Sequence, residues 1–343
     1  MKTARRTVAF SKNAVNLFFH ILTGCNLSCR HCYINPDQHG RSPLSIDTIE
    51  RWLSAFSKRG AKANVIFLGG EPTLHPDLPR AVRCAREMGY GSITIDTNGY
   101  LFHNILDRLS PGDVDFFSFS LDGSTPERND SLRGAGCFAA CTAGIRDAVE
   151  RGFAASVIFT VSSASIDDLS NMGPLLVDLG VSRFFIQVIG LRGEPARGKE
   201  TAGGPDQVSK EAWLSTVPAT AEAIARQGIT VSYPKVYLSD GEVFECAGLV
   251  AENYFIFPNG RVYRCPLCED FPIHGFEFRE NRLVKRGPIS ECDLFHLNIP
   301  EGCVMNRLIQ PGNLVYDADG RPAYPVACCM LKEEVSPARE PSP

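Results

Sequence analysis

The chain has 343 residues and the composition of an ordinary globular protein, with 44% hydrophobic and 22% charged residues. Its net charge of −4 argues against a large nucleic-acid surface, which would need clustered Lys and Arg. No apolar run is long enough for a signal peptide or a membrane span, so we expect a cytoplasmic protein without a membrane partner. Thirteen cysteines in such a protein indicate metal binding rather than disulfides.

Six apolar runs alternate with helical patterns along the first two thirds of the chain. This alternation predicts parallel strands joined by helices, which is an α/β fold. The first helix is expected to begin after Ser45, a favourable N-cap residue. The predicted strands cover 15–22, 64–68, 92–96, 115–121, 154–161 and 183–189.

Three cysteines, Cys25, Cys29 and Cys32, follow the first predicted strand directly. Thiolates are soft ligands that hold zinc and iron–sulfur clusters. A closed zinc site or cluster normally takes four protein ligands, and this group offers three. An iron–sulfur cluster bound here would keep one iron open for chemistry, while zinc remains the alternative on ligand type alone.

The cysteine spacing resembles the signature of the radical S-adenosylmethionine (SAM) superfamily, Cys-x3-Cys-x-aromatic-Cys, with His31 at the aromatic position. The second strand ends in Gly69-Gly70-Glu71-Pro72, similar to the Gly-Gly-Glu-Pro motif that contacts the SAM amino group in that family. The resemblance implies a partial (β/α)6 TIM-like barrel with a small C-terminal cysteine-rich domain for an auxiliary cluster.

The resemblance also implies a reaction. Cys25, Cys29 and Cys32 would hold a [4Fe–4S] cluster, and SAM would chelate the open iron. One electron, from a donor such as flavodoxin or ferredoxin, would cleave SAM to a 5′-deoxyadenosyl radical that abstracts hydrogen from a substrate. The protein would orient and shield these groups.

Further cofactor contacts are expected at the carboxyl ends of the strands, where barrel active sites collect. By resemblance, His31 would lie against adenine, Ser120 and Asp122 would contact the ribose or methionine part of SAM, and Gln187 and Arg192 would contact its adenine or carboxylate. Serines that merely fill the barrel remain the alternative for the fourth strand. Arg133 is either a carboxylate ligand or a solvated loop residue.

The C-terminal part is rich in cysteine and contains a predicted hairpin with Pro258-Asn259-Gly260 at its turn. Cys246-x13-Gly260-x4-Cys265 resembles the opening of the SPASM and twitch auxiliary-cluster domains. The resemblance implies one auxiliary [4Fe–4S] cluster, whereas a zinc-ribbon-like module is the alternative. We expect its ligands to be Cys246, Cys265, Cys292 and Cys303, with Cys268 as the rival to Cys292 and with Cys328 and Cys329 as further candidates.

The expected organisation is a core barrel over 1–199, a linker and connecting helix over 200–245, an auxiliary-cluster domain over 246–332 and a disordered tail over 333–343. The short segment before Cys25 favours a small-molecule substrate in cofactor or natural-product synthesis, with oxidation or bond formation as the net reaction. A peptide- or protein-modifying maturase is the second hypothesis. A non-catalytic iron–sulfur or zinc protein is the third.

Overall fold

The computed structural model describes residues 5–8, 15–58, 63–197, 207–239, 241–287 and 289–337, with the backbone alone for 5–8, 197 and 313. Within these ranges no helix is both long and apolar enough to cross a membrane. The strands are β1 Arg5–Val8, β2 Val15–Leu22, β3 Ala63–Gly69, β4 Ser92–Thr97, β5 Phe116–Ser120, β6 Ala155–Val161, β7 Arg183–Val188, β8 Thr230–Pro234, β9 Glu252–Ile256, β10 Arg261–Tyr263, β11 Phe276–Arg279, β12 Arg282–Lys285 and β13 Leu331–Val335.

Helices connect most of these strands. They are α1 Pro36–His39, α2 Ile46–Ser57, α3 Leu78–Glu87, α4 Ile105–Arg108, α5 Pro126–Arg133, α6 Cys137–Glu150, α7 Met172–Asp178, α8 Glu194–Arg197, α9 Lys210–Ala225, α10 Ala247–Val250, α11 Glu291–Leu294 and α12 Val304–Ile309. Ser45 caps α2 as expected, because its hydroxyl accepts a hydrogen bond from Thr48 N at 3.3 Å. Short 3₁₀ turns lie at Pro72–Leu74, Phe102–Asn104, Ile166–Asn171, Pro266–Cys268 and Pro311–Asn313.

Strands β2 to β7 are the six that the sequence predicts, and they lie side by side and parallel. Alternate side chains such as Phe19, Phe67 and Phe117 are fully buried in the main hydrophobic core. The opposite parity, which faces the interior of the barrel, carries several polar side chains, among them Asp96, Ser118 and Ser120. The expected α/β architecture, an open and therefore partial barrel, is confirmed.

The sheet continues past both sides of this barrel. On one side β8 pairs parallel with β7, followed by β13 and β1; on the other, β9 to β12 follow β2. The segment expected as a linker thus contains both α9 and a strand of the sheet. Glu333–Val335 belong to β13, so the expectation of a tail disordered from 333 is wrong for those residues. Residues 198–206 and 338–343 lie outside the described residues.

The predicted hairpin is present as antiparallel β9 and β10, and it joins the barrel directly. β9 runs parallel to β2 over five residue pairs. At the start of these strands, buried Asn16 donates to Asn253 Oδ1 at 2.9 Å and accepts from Asn64 Nδ2 at 2.9 Å. Buried amides must be paired, so this ladder fixes the register of β9, β2 and β3. The hairpin that carries Cys265 therefore continues the barrel sheet.

Candidate functional site

The first cysteine group lies in the loop after β2, at the carboxyl ends of the parallel strands. Cys25 is exposed, Cys29 and Cys32 are half-buried, and all three are free thiols. A turn bond from Cys32 N to Cys29 O, 3.1 Å long, folds the loop back on itself. The pKa of Cys29 is raised to about 12, chiefly by burial; Arg133 opposes this shift, and the neighbouring Cys32 and Cys25 contribute to it. The thiols are therefore close together, and a metal cluster that binds them must displace their protons.

The two glycines after β3 let its backbone pack directly on the cysteine loop. Gly70 N donates to Leu22 O at 3.2 Å, and Glu71 N donates to Gly24 O at 3.0 Å. A Cβ on Gly70 would contact Gly24 O and lie 2.5 Å from Thr23 O, and a Cβ on Gly69 would collide with Leu22 O. Glycine is required at both positions because of this close approach. Pro72 follows and opens the 3₁₀ turn.

The Glu71 carboxylate is fully buried and faces protein donors. One oxygen accepts from Thr73 N at 3.0 Å, Thr73 Oγ1 at 2.6 Å and Thr97 Oγ1 at 2.9 Å; the other accepts from Asn98 N at 2.7 Å. Burial raises the pKa of Glu71, and these hydrogen bonds oppose the shift. Asn98 in turn donates to Asn26 Oδ1 at 2.8 Å and reaches Cys25 Sγ at 3.8 Å. Glu71 thus positions the residues beneath the cysteine loop.

His31 and Asp122, two of the expected cofactor contacts, meet each other. His31 Nε2 lies 3.0 Å from Asp122 Oδ2, and Arg133 Nε lies 2.5 Å from the same oxygen. Thr160 N donates to Asp122 Oδ1 at 2.6 Å. Burial alone would raise the pKa of Asp122, but Arg133 and His31 hold it well below its ordinary range. Asp122 therefore fixes the His31 ring and the Arg133 side chain beside the cysteine loop.

Polar side chains of β4, β5 and β7 share the parity that faces the barrel interior. Ser120 is half-buried and Gln187 is exposed. Asp96 lies opposite Ser118 in the register of β4 and β5 and hydrogen-bonds with it. Burial raises the pKa of Asp96 to about 7. The interior thus offers a carboxyl group, hydroxyls and an amide to a bound molecule.

A second group of cysteines lines one small cavity in the C-terminal part. Its walls include Cys246, Cys265, Cys303, Cys328 and Cys329, with apolar Phe295 and Met305 among the other lining residues. The thiols of Cys246 and Cys328 are within hydrogen-bonding distance of each other. Five cysteines from four separate segments between positions 246 and 329 are therefore brought to one apolar site, and the vicinal pair at 328 and 329 is one of these segments.

Backbone N–H groups converge on the sulfurs of this cavity. Cys246, Cys265 and Cys303 each occupy the N-cap position of a short helical turn. Asn306 N donates to Cys303 Sγ at 3.5 Å, and Ala247 N and Met330 N hydrogen-bond with Cys328. Such N–H donors stabilise thiolates and tune the potential of iron–sulfur clusters. The donor set fits a cluster held by thiolates in a dry site.

Cys268 and Cys292 lie outside the cavity wall. Cys268 is buried and hydrogen-bonds with Cys265, whereas half-buried Cys292 packs against Gly275. Among the described residues, no three His, Cys, Asp or Glu side chains converge on a single metal ion. A four-iron cluster places each thiolate on a different iron, so its ligands need not share the coordination sphere of one ion.

Three residues that the sequence did not single out for a role are prominent here. Tyr33, which follows Cys32 directly, hydrogen-bonds through its hydroxyl with His20 Nε2 at 2.7 Å. Glu291 is buried and accepts from the backbone N–H groups of residues 264, 265 and 275. Asp96 is the third. The sequence signal for Asp96 was its position at the end of a strand, two residues before Asn98-Gly99. Tyr33 and Glu291 gave no such signal, because their partners are distant in sequence.

Comparisons with known proteins agree with this arrangement. Residues 19–169 match the model of the Radical SAM superfamily. The PqqA peptide cyclase of Ruegeria pomeroyi is 28% identical over 257 residues, which is 74% of this chain and 68% of that protein. The Fe-coproporphyrin III synthase of Methanosarcina barkeri is 32% identical over 162 residues, 46% of this chain and 40% of that protein.

The fold is similar to that of Streptococcus suis SuiB in its crystal structure with the precursor peptide SuiA. The TM-score is 0.61 at 14% identity, over 84% of this chain and 66% of SuiB. Proteins of the matched family use a [4Fe–4S] cluster and SAM, and the three-cysteine loop fits that cluster. By this match, residues 19–169 form a radical SAM domain.

Proposed function

We propose that the chain is a radical SAM enzyme that modifies a peptide and carries an auxiliary cluster in its second cysteine site. The observation that carries this proposal is the placement of two cysteine groups on one continuous sheet. The first has three free thiols at the carboxyl ends of the barrel strands, and the second has five around an apolar cavity. An electron carrier would need neither a three-thiol site nor the polar barrel interior beside it.

When bound, the cluster and SAM supply a carbon-centred radical for hydrogen abstraction. The chain's own residues bind the cluster and position the groups around it. Cys25, Cys29 and Cys32 bind the cluster, and Glu71 orients Asn98 beneath Cys25. Other residues shape the space above the loop: the pair of His31 and Asp122 borders it, and Ser120, Gln187 and Asp96 provide polar contacts to SAM and substrate.

For the auxiliary cluster we propose Cys246, Cys265, Cys303 and Cys328 as ligands. These four line the same cavity, whereas Cys292, which the sequence favoured, lies outside it. Cys328 is supported over Cys329 by its contact with Cys246 and by the two backbone N–H groups that face it. Cys268 hydrogen-bonds with the Cys265 thiol.

A peptide substrate is supported by the similarity to the PqqA peptide cyclase, which aligns over 257 residues, 74% of this chain. The open side of the barrel suits an extended substrate. A small-molecule substrate in cofactor synthesis is the second candidate, because the higher identity, 32%, is to a coproporphyrin synthase over a shorter stretch.

The test is anaerobic reconstitution of the protein with iron and sulfide, followed by reduction with dithionite in the presence of SAM. We expect the wild type to form 5′-deoxyadenosine and Cys32→Ala to form none. Cys328→Ser should lose the iron of one cluster and keep the other, while the matched variant Cys292→Ser should keep both. Absence of SAM cleavage in an iron-loaded wild type would overturn the proposal. Equal iron loss in the two serine variants would overturn the ligand set.

A further inference from the structure

The segment that follows β7, Gly190–Glu194, lies between the two cysteine sites and touches both. On the side of the first site, Glu194 N donates to Cys32 O at 2.9 Å. The Arg192 guanidinium lies over the Tyr33 ring, 4.4 Å from its centroid. Gly193 packs so tightly that a Cβ there would lie 2.5 Å from Cys32 O. This segment is therefore pressed against the backbone of the SAM-site cysteine loop.

The same segment holds the chain around Cys265 and Cys268. Arg192 Nη1 donates to Pro266 O at 2.7 Å and forms an ion pair with Glu269, the residue after Cys268. Gly193 N donates to Asp270 Oδ2 at 2.7 Å. One arginine side chain thus contacts Tyr33, which follows the last cysteine of the first site, and Pro266, which follows Cys265 of the second site.

The partners of Arg192 are themselves held in place. His20 Nε2 fixes the Tyr33 hydroxyl at 2.7 Å, and Asn35 Nδ2 donates to Asp270 Oδ1 at 3.1 Å. The Glu269 side chain is 1% exposed and that of Arg192 is 20% exposed. Taking such a pair out of water costs roughly as much as the attraction returns, so stability alone does not account for it. A planar guanidinium does, however, set the direction of each contact, which lysine cannot reproduce.

We propose that Arg192 is a positioning residue that couples the auxiliary cysteine site to the SAM-site loop. If the chain moves at residues 266–269, the Arg192 side chain transmits that movement to Tyr33, and the backbone of Gly193 transmits it to Cys32. The state of the auxiliary site therefore sets how well the SAM-site loop is ordered for its cofactor. This inference rests on the proposed function, since it assumes that the first site binds SAM.

The experiment is a double-mutant cycle on the reconstituted holoprotein, with the dissociation constant of SAM as the readout. The four proteins are the wild type, Cys303→Ala, Arg192→Gln and the double variant. Cys303 lines the auxiliary cavity and has no contact with the SAM-site loop among those described. SAM binding is followed by the change in the electron paramagnetic resonance spectrum of the reduced cluster, which also reports how SAM sits on the iron.

We expect Cys303→Ala to weaken SAM binding at least about fivefold in the wild-type background, the lower range of coupling between sites. In the Arg192→Gln background it should have almost no further effect. Arg192→Lys should behave like Arg192→Gln, because the ammonium cannot hold Pro266 O, Glu269 and the Tyr33 ring together. Arg183→Gln is the matched control, since Arg183 lies at the other end of β7 over the Phe116 ring. In the Arg183→Gln background, Cys303→Ala should weaken SAM binding as much as it does in the wild type.

If the two substitutions weaken SAM binding independently, so that their effects multiply, the coupling role of Arg192 is overturned. Should Arg192→Gln fail to fold, Tyr33→Leu removes the ring under the guanidinium and the same cycle is run with it; independent effects there also overturn the proposal. A wild type that holds its clusters yet binds no SAM would instead contradict the proposed function. The two failures are therefore distinguishable.

Discussion

Two carboxyl groups near the SAM-site loop, those of Glu71 and Asp96, differ in how their charge is satisfied. Glu71 accepts four hydrogen bonds from residues of its own turn and of the end of β4. Asp96 has the neighbouring Ser118 hydroxyl, and the negative charge of Glu71 adds to the effect of burial on its pKa. A carboxyl group in this state exchanges its proton near neutral pH. Glu71 is therefore suited to stabilise the turn after β3, whereas Asp96 is suited to contact a bound substrate.

The pKa of Asp96 makes stability depend on pH. Because its folded-state pKa is about 7, above its ordinary value, the folded protein retains a proton that the unfolded chain releases. This contribution is present at low pH and is lost as the pH rises through about 7. We expect Asp96→Asn to be less sensitive to pH between about 5 and 8 than the wild type, as measured by anaerobic urea unfolding. Exposed Asp319→Asn should keep the wild-type slope, and an unchanged slope in Asp96→Asn would contradict the assignment.

At the scale of elements, the end of β3 and the cysteine loop form one unit through backbone contacts. Gly69 and Gly70 lie against Leu22, Thr23 and Gly24 with no room for a side chain. Two hydrogen bonds, Gly70 N to Leu22 O and Glu71 N to Gly24 O, hold the strands' ends together. The position of the three thiols therefore depends on the turn after β3.

Gly70→Ala tests this dependence. The added methyl group must push the turn away from Gly24 and Thr23, since both contacts are with backbone oxygens. Overpacking of this kind typically costs about 1–3 kcal/mol, and here it also displaces the thiols. We expect reduced iron incorporation at the SAM-site cluster, measured by iron analysis and electron paramagnetic resonance. Gly112→Ala is the control, because a Cβ there meets only Ser110 Oγ at 3.7 Å. Equal iron content in the two variants would show that the turn is not needed.

At the scale of the whole molecule, a single sheet passes through both cysteine-bearing parts. β9 of the C-terminal part pairs with β2, and β13 pairs with β8. Strand pairing and the buried Asn16, Asn253 and Asn64 ladder therefore cross the expected boundary at 246. Each part therefore pairs with a sheet edge that the other part would otherwise leave open.

We expect the protein to unfold in one cooperative step for this reason. Tryptophan fluorescence reports the packing of two buried residues, Trp52 of α2, which stacks on Phe278 of β11, and Trp213 of α9, and the visible absorption of iron–sulfur clusters reports the cysteine sites. In anaerobic urea titrations the two transitions should coincide, which is the test of two-state behaviour. Asn253→Ala should shift both midpoints together. Two separate transitions would mean that the parts fold independently.

Much of this fold was predictable because its signals are local. Six strands and the hairpin follow from short apolar runs and from the Asn259-Gly260 turn, and the three-cysteine loop follows from spacing. The joining of β9 to β2 was not predictable, since residues 237 apart, such as Asn16 and Asn253, give no periodic signal. The role of Glu71 as a buried acceptor and the exclusion of Cys292 from the cavity likewise depend on packing between distant segments.

The glycines that border the cysteine loop also bear on how such a protein can evolve. Gly69, Gly70 and Gly193 meet the loop backbone to backbone, so no side chain there can be trimmed or enlarged to adjust it. Mutations around the loop are therefore either neutral or damaging to the cofactor site. New substrate preferences must arise instead from the barrel interior, at positions such as half-buried Asp96 and exposed Gln187. The fold thus separates the part of the site that must be inherited unchanged from the part that selection can reshape.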